Sequence, residues 1–180
     1  PVGLVITADS PSQLTLNWTA MNNQTLGQSG YWVDETSQNP GASESSDWSL
    51  QSASFIDSGL NVNTQYTYQV KGRNFDATET AYGSPVAKYT KANVPGAAAF
   101  TQLHTTYVRA NWTINNNPGG TYFYCENVTA GTNTGWTTAL TWLCNNLQPN
   151  TQYTFRVKAK NGDNEDTAWT DLGSVITPSA

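Results

Sequence analysis

The chain has 180 residues, a net charge of −5 and only 8 Lys and Arg, against 7 Trp, 9 Tyr and 14 Gly. An acidic chain repels phosphate backbones and anionic lipid heads, which argues against nucleic acid and membrane surfaces as partners. No apolar run approaches the roughly 18–20 residues needed to span a bilayer. Aromatic and β-branched residues favour half-buried pleated surfaces, and the Asn, Gly, Asp and Ser between them favour turns, so the composition predicts an all-β chain. The chain starts at Pro1 without Met and without a signal peptide. That start is expected of a processed protein or an excised fragment.

In chain order, residues 13–19 (QLTLNWT) alternate, with Leu14, Leu16 and Trp18 on one face. Residues 30–35 form a second candidate strand. Residues 66–73 (YTYQVKGR) alternate over a longer run, with Tyr66, Tyr68 and Val70 facing one way and Thr67, Gln69, Lys71 and Arg73 the other. The pattern then recurs in residues 107–113, 121–126 and 153–160. LNVNTQYTYQVKGRN, from Leu60, and LQPNTQYTFRVKAKN, from Leu147, are separated by 87 residues. The offset holds on to Tyr82 and Trp169, and to Thr90 and Thr177. A repeat of this length is a whole domain, so two domains are expected, 1–91 and 92–180. Residues 91–96 (KANVPG) form a short connection, and Pro95 holds Val94 extended. A limited hinge is expected from so short a joint. No segment has a sustained 3.6-residue period. Strands at this spacing with turn residues between them predict a sandwich.

These residues resemble tandem fibronectin type III domains, and the likeness covers almost the whole chain. The family places a Trp at the end of its second strand, where Trp18 and Trp112 stand. It places Leu-x-Pro-x-Thr-x-Tyr before a long strand. Leu147 to Tyr153 fit that motif fully, and Leu60 to Tyr66 fit it with Val62 in place of Pro. The resemblance implies two immunoglobulin-like β-sandwiches. Trp18, Trp112, Leu60 and Leu147 are then core residues, and Tyr66 and Tyr153 form tyrosine corners. Cys125, Gly135-Trp136 and residues 166–169 look like bacterial versions of the domain, which often sit in large secreted or surface proteins.

In this family the position of Cys144 points inward, and a Cys125–Cys144 disulfide would cross the core. Closing a loop of roughly 20 residues would contribute about 3 kcal/mol. It would also imply an oxidising, extracytoplasmic setting. The alternative is two separate buried thiols. If Tyr122 and Tyr124 face inward instead, Cys125 faces out and the bond is harder to build. Cys144 aligns with Asp57 at the 87-residue offset, and Cys125 with Asp34 at an offset of 91. Asp34 and Asp57 would then approach each other and need a proton, a cation or water. A Ca²⁺ site there, or at Asp163, Glu165 and Asp166, is the sharper reading, and solvated edges and loops are the plainer one. The full EF-hand pattern is absent, and two Cys with a distant His make no zinc signature.

Trp32, Trp48, Trp136, Trp142 and Trp169 exceed what the two core positions need. Such side chains can stack on sugar rings or anchor a protein partner. Alternatively, they cover the sheets, stacked by Lys71, Arg73, Arg156 and Lys158. Trp48 and Trp136 stand at matched positions, as do Tyr82 and Trp169. The loops 74–80 and 161–167 lie where the family often places recognition residues, and neither contains Arg-Gly-Asp. Asn17, Asn23, Asn111 and Asn127 fall in Asn-x-Thr sequons. The side chains of Asn17 and Asn111, next to the core Trp, are expected to face out.

His104 is the single His, and no phosphate loop or Gly-x-Ser-x-Gly elbow occurs. Catalysis and a cofactor are therefore not expected. The expected function is a structural spacer, for display or adhesion, within a larger extracellular or cell-surface protein, where the partners are that protein's other domains. The alternatives are a module that binds protein or polysaccharide, and a subunit of a self-assembling layer or filament.

Overall fold

The computed structural model describes residues 1–22, 28–43 and 48–180. The chain divides into two compact units, Pro1–Lys91 and Ala92–Ala180. All secondary structure in the described residues is β.

The first unit contains β1 (Val2–Ser10), β2 (Gln13–Thr19), β3 (Gly30–Glu35), β4 (Ser54–Ser58), β5 (Gln65–Arg73) and β6 (Val86–Tyr89). They form two sheets, ordered β1-β2-β4 and β3-β5-β6, with antiparallel pairing throughout. Period-2 alternation buries one face of each. Leu14, Leu16 and Trp18 of β2 meet Tyr31 and Val33 of β3 and Tyr66, Tyr68 and Val70 of β5. Each fully buried side chain of this size contributes about 1.5–3 kcal/mol.

The second unit contains β7 (Gly96–Thr101), β8 (Val108–Thr113), β9 (Tyr122–Asn127), β10 (Thr132–Thr137), β11 (Thr141–Cys144), β12 (Gln152–Lys160) and β13 (Thr170–Ile176). Its sheets run β11-β8-β7 and β10-β9-β12-β13. Its core gathers Val108, Ala110, Trp112, Phe123, Phe155 and Val157. The second sheet has four strands because the hairpin of β9 and β10 adds an edge that the described residues of the first unit match only by a bridge, Tyr31 to Leu50.

The turn before each long strand is held the same way in both units. Asn61 N–H donates to the Tyr66 hydroxyl at 2.9 Å, and Gln148 N–H to the Tyr153 hydroxyl at 2.8 Å. Thr90 Oγ1 donates to the Asn61 carbonyl, and Thr177 Oγ1 to the Gln148 carbonyl. Leu60 and Leu147 are buried beside these turns. Asn63 and Asn150 take positive φ, 45° and 50°, a region that Asn tolerates better than most residues. Trp18 lies edge-on to Tyr31 at 5.2 Å, and Trp112 is tilted against Phe123 at 6.4 Å. The indole N–H of each Trp is buried without an acceptor.

Two expectations are corrected by strand register. Val33 pairs with Val70, and Cys125 pairs with Val157. Val70 and Val157 are equivalent in the repeat, so Cys125 corresponds to Val33, one residue earlier than the sequence alignment places it. A one-residue slip moves a side chain to the other face. Asp34 therefore points away from the core, where it accepts from Gln69 Nε2, while Asp57 points in. The two carboxylates do not share a site.

The expected disulfide is also absent. Cys125 and Cys144 are free, buried thiols. They stand on opposite sheets, β9 and β11, and both side chains are buried in the core. The Cys144 sulfur instead accepts from Asn127 Nδ2 at 3.5 Å. Phe123 and Cys125 face inward, while Tyr122 and Tyr124 face outward.

Candidate functional site

The surplus aromatic residues gather on the outer face of the sheet that holds each long strand. In the second unit, Arg156, Lys158 and Lys160 of β12 project outward at alternating positions. Residues two apart on a strand stand about 6.8 Å apart, which leaves room for one ring between their side chains. Arg156 and Lys158 both lie over Trp169, at 4.1 and 4.9 Å from the ring centroid. Lys158 and Lys160 both lie over Trp136, at 5.5 and 4.7 Å. Lys160 also lies over Tyr122, at 5.5 Å. Tyr124 packs against Trp136 and Trp169, with centroids 5.5 and 6.0 Å apart. Each such contact contributes about 0.5–1 kcal/mol at a partly exposed site.

The first unit repeats the row. Lys71 lies over Tyr82 at 5.1 Å and over Trp48 at 5.4 Å, and Arg73 lies over Trp48 at 4.5 Å. Trp32 packs against Trp48 at 5.7 Å, as Tyr124 packs against Trp136. Gln69 stands where the second unit has Arg156, so the row is one rung shorter. Acidic partners balance the cations: Glu79 on Lys71 at 2.6 Å, Glu126 on Arg156 at 2.7 Å, and Asp166 on Lys158.

Trp32, Trp48, Trp136 and Trp169 are thus brought into matched rows, and all four are half-buried. Their faces are turned to side chains of their own unit. Trp142 lies apart from the row and packs edge-on against Phe155 at 6.0 Å. Lys160 is the member that the sequence analysis left out. Its outward position two residues beyond Lys158 was the available signal. The most exposed ring of the row is Tyr122, at 49%.

The acidic candidates are not brought together. Asp57 is bound by Tyr68 and Ser43, Asp34 by Gln69, and Asp166 by Lys158. Asp163 lies in the turn built on Asn161 Oδ1, which accepts from the Asp163 and Glu165 amides. Among the described residues no group of three or more His, Cys, Asp or Glu could hold a metal ion. Of the sequons, Asn127 is 0% exposed, Asn111 donates its amide to the Ala99 carbonyl, and Asn17 is exposed. Asn23 lies outside the described residues. His104 stacks on Tyr107 at 4.7 Å in the turn between β7 and β8.

A tandem segment of chicken tenascin superposes on 98% of this chain and 99% of its own, with a TM-score of 0.65 and 17% identity. That segment consists of two fibronectin type III domains. The fold is a tandem pair of fibronectin type III domains. No family model matches the chain. In sequence, the tandem fibronectin type III pair is 28% identical to Exoglucanase B of Cellulomonas fimi over 99% of its length. It is 30% identical to Endoglucanase B of Cellulomonas fimi over 68% of its length. It spans only 16% and 14% of those two proteins.

The fibronectin type III cores also set an alkaline limit. Burial pushes the Cys125 thiol up to about 12. Its unfolded value is about 8.5. A raised folded value means that the stability it carries is fully present below about pH 8.5. That stability is lost as pH rises toward 12, at about 1.4 kcal/mol per pH unit. Burial, then the bond to Asp57, raises Tyr68 in the first unit, so that unit weakens above about pH 10. Urea titrations from pH 7 to 11, followed by amide exchange, should show the second unit weakening first. Cys125→Ala should remove its slope between pH 8.5 and 10.

Proposed function

We propose that this chain is a non-catalytic spacer within a larger extracellular protein, setting its other domains apart. The observation that carries this reading is the pair of matched ring-and-cation rows. In both units surplus rings lie against Lys or Arg side chains of the same unit: Trp48 and Tyr82 in the first, Trp136 and Trp169 in the second. A ring stacked in this way packs on side chains of its own unit, and it covers the sheet. The match to a small part of two much longer proteins supports a place inside a larger chain. An extracellular setting fits the acidic, Lys-poor surface.

A second reading is a glucan-binding module. It is favoured by the two relatives, which are glucanases by name, and by the half-exposed Tyr122 ring. Two measurements separate the readings from each other and from self-assembly. Light scattering across a concentration range should give a monomer of 19.5 kDa throughout. Incubation with insoluble cellulose or mixed-linkage β-glucan should leave the protein in solution. Depletion that Tyr122→Ala abolishes would overturn the spacer reading in favour of binding. Growth in mass with concentration would overturn it in favour of assembly.

A further inference from the structure

Each side of the junction between the units is fastened to its own unit by backbone groups. Lys91 N–H donates to the Ser10 carbonyl at 3.2 Å, and the Lys91 carbonyl accepts from Asn63 N–H at 3.1 Å. Both partners belong to the first unit. Two residues later, Asn93 N–H donates to Asn117 Oδ1 at 2.8 Å, and the Asn93 carbonyl accepts from Asn117 Nδ2 at 2.9 Å. Ala92, between them, is 5% exposed and belongs to the core of the second unit.

Asn117 does what a neighbouring strand would do. Its amide offers one acceptor and two donors in a plane, so it meets both the N–H and the C=O of one residue. Its second donor hydrogen bond goes to the Ile114 carbonyl at 2.8 Å. Asn117 itself is 5% exposed, so water cannot replace these bonds cheaply. The turn between β8 and β9 adds two further ties. Asn93 Nδ2 donates to the Asn115 carbonyl at 3.0 Å, and Asn115 Nδ2 donates to the Val94 carbonyl at 2.7 Å. Asn115 and Asn116 take φ of 49° and 61° to aim the turn. Asn at successive positive-φ sites is a low-strain way to do so.

We infer that the turn between β8 and β9 is an asparagine clasp that holds residues 93–94 and closes the junction to local opening. The inference is independent of the spacer reading, because it rests on bonds inside the second unit. Its consequence is resistance to proteolysis at a point where a two-domain chain is ordinarily vulnerable. Lys91 is exposed and offers trypsin a cleavable bond to Ala92. A protease needs several residues unfolded around that bond, and the clasp denies them.

The test is limited trypsin digestion of the intact chain and of Asn117→Ala, with fragments identified by mass. The native chain should resist cleavage after Lys91. The variant should be cut there roughly ten-fold faster or more, because both bonds that hold the Asn93 backbone are gone, with the bond to the Ile114 carbonyl. Cleavage after Arg109, Arg156 and Lys158 reports unfolding of the second unit in the same digest, and in the variant it should stay far slower than cleavage after Lys91. The Asn93 amide should exchange slowly in the native chain and fast in the variant. Rapid cleavage after Lys91 in the native chain would overturn the clasp. So would an unchanged rate in the variant, or cleavage after Lys91 no faster than cleavage after Arg109 and Arg156.

Discussion

Asp57→Ala lowers the unfolding free energy of the first unit by about 3 kcal/mol. The Asp57 carboxylate is 1% exposed and accepts three donors: the Tyr68 hydroxyl at 2.7 Å, and the Ser43 amide and hydroxyl at 2.9 Å each. Removing it leaves the Tyr68 hydroxyl, fully buried, without a partner. A buried donor left unmade costs about 1–3 kcal/mol, and bonds to a charged acceptor lie toward the upper end. The cavity left by the carboxylate adds to that loss. Tyr68→Phe alone costs about 2 kcal/mol, because it takes one of three donors from a buried charge.

The second unit shows how the pair can be dispensed with. Cys144 stands at the place of Asp57, and Phe155 at the place of Tyr68. Both sites hold the same partners in register: Asp57 pairs with Leu14 across the sheet, and Cys144 with Val108. One polar pair and one apolar pair thus fill the same space. Asp57→Cys with Tyr68→Phe should therefore return the first unit to within about 1 kcal/mol of its starting stability. Ser43 is the remaining orphan, and it is exposed, so water satisfies it. Amide exchange in β5 and β12 reads the two units separately within the intact chain. Single and double variants that cost the same would show that the network is not the source of the loss.

The parts of this molecule that were legible in the sequence are those fixed by local rules. Alternation in β2, β5 and β12 requires only a two-residue period. The turns before Tyr66 and Tyr153 require Leu, Asn, Thr and Tyr at set spacings. With the 87-residue offset, these give the fold class. The alignment of β3 with β9 was not legible, because no local rule sets it. Gly30–Glu35 and Tyr122–Asn127 differ in almost every residue, and their register comes from pairing with β5 and β12. One step of error put Asp34 where Val33 belongs and carried the paired-carboxylate site with it. The disulfide failed for a related reason. Inward direction can be read from a pattern, but the packing that leaves both thiols free and sets Asn127 on the Cys144 sulfur cannot. The short strand β6 and the edge strand β10 carry little alternation, and the bulge at Gly135, with φ of 64°, breaks what β10 has.

The aromatic rows lie between these cases. Outward Lys and Arg at every second residue of β5 and β12 are visible in the sequence, and so are Trp residues at matched positions. The interleaving is not, because it depends on how the segments around residues 48, 136, 82 and 169 return across the sheet. That interleaving makes Trp136→Ala the second large effect: a loss of about 2–4 kcal/mol in the second unit. Trp136 is half-buried between Lys158 and Lys160 and touches Tyr124. Truncation removes a large half-buried ring and two cation contacts, and leaves two ammonium groups side by side without the ring between them. Lys158→Met keeps the apolar stem and removes the charge, so it should cost about 1 kcal/mol. The two changes should combine to less than their sum, because they remove the same contact. A surface Trp held for a ligand behaves otherwise: its removal shifts stability by less than about 0.5 kcal/mol. Denaturation of the four proteins of this cycle, read at β12 amides, decides between a ring that builds the sheet and one that waits for a partner. A small, additive Trp136→Ala effect would return the row to the list of binding surfaces and count against the spacer.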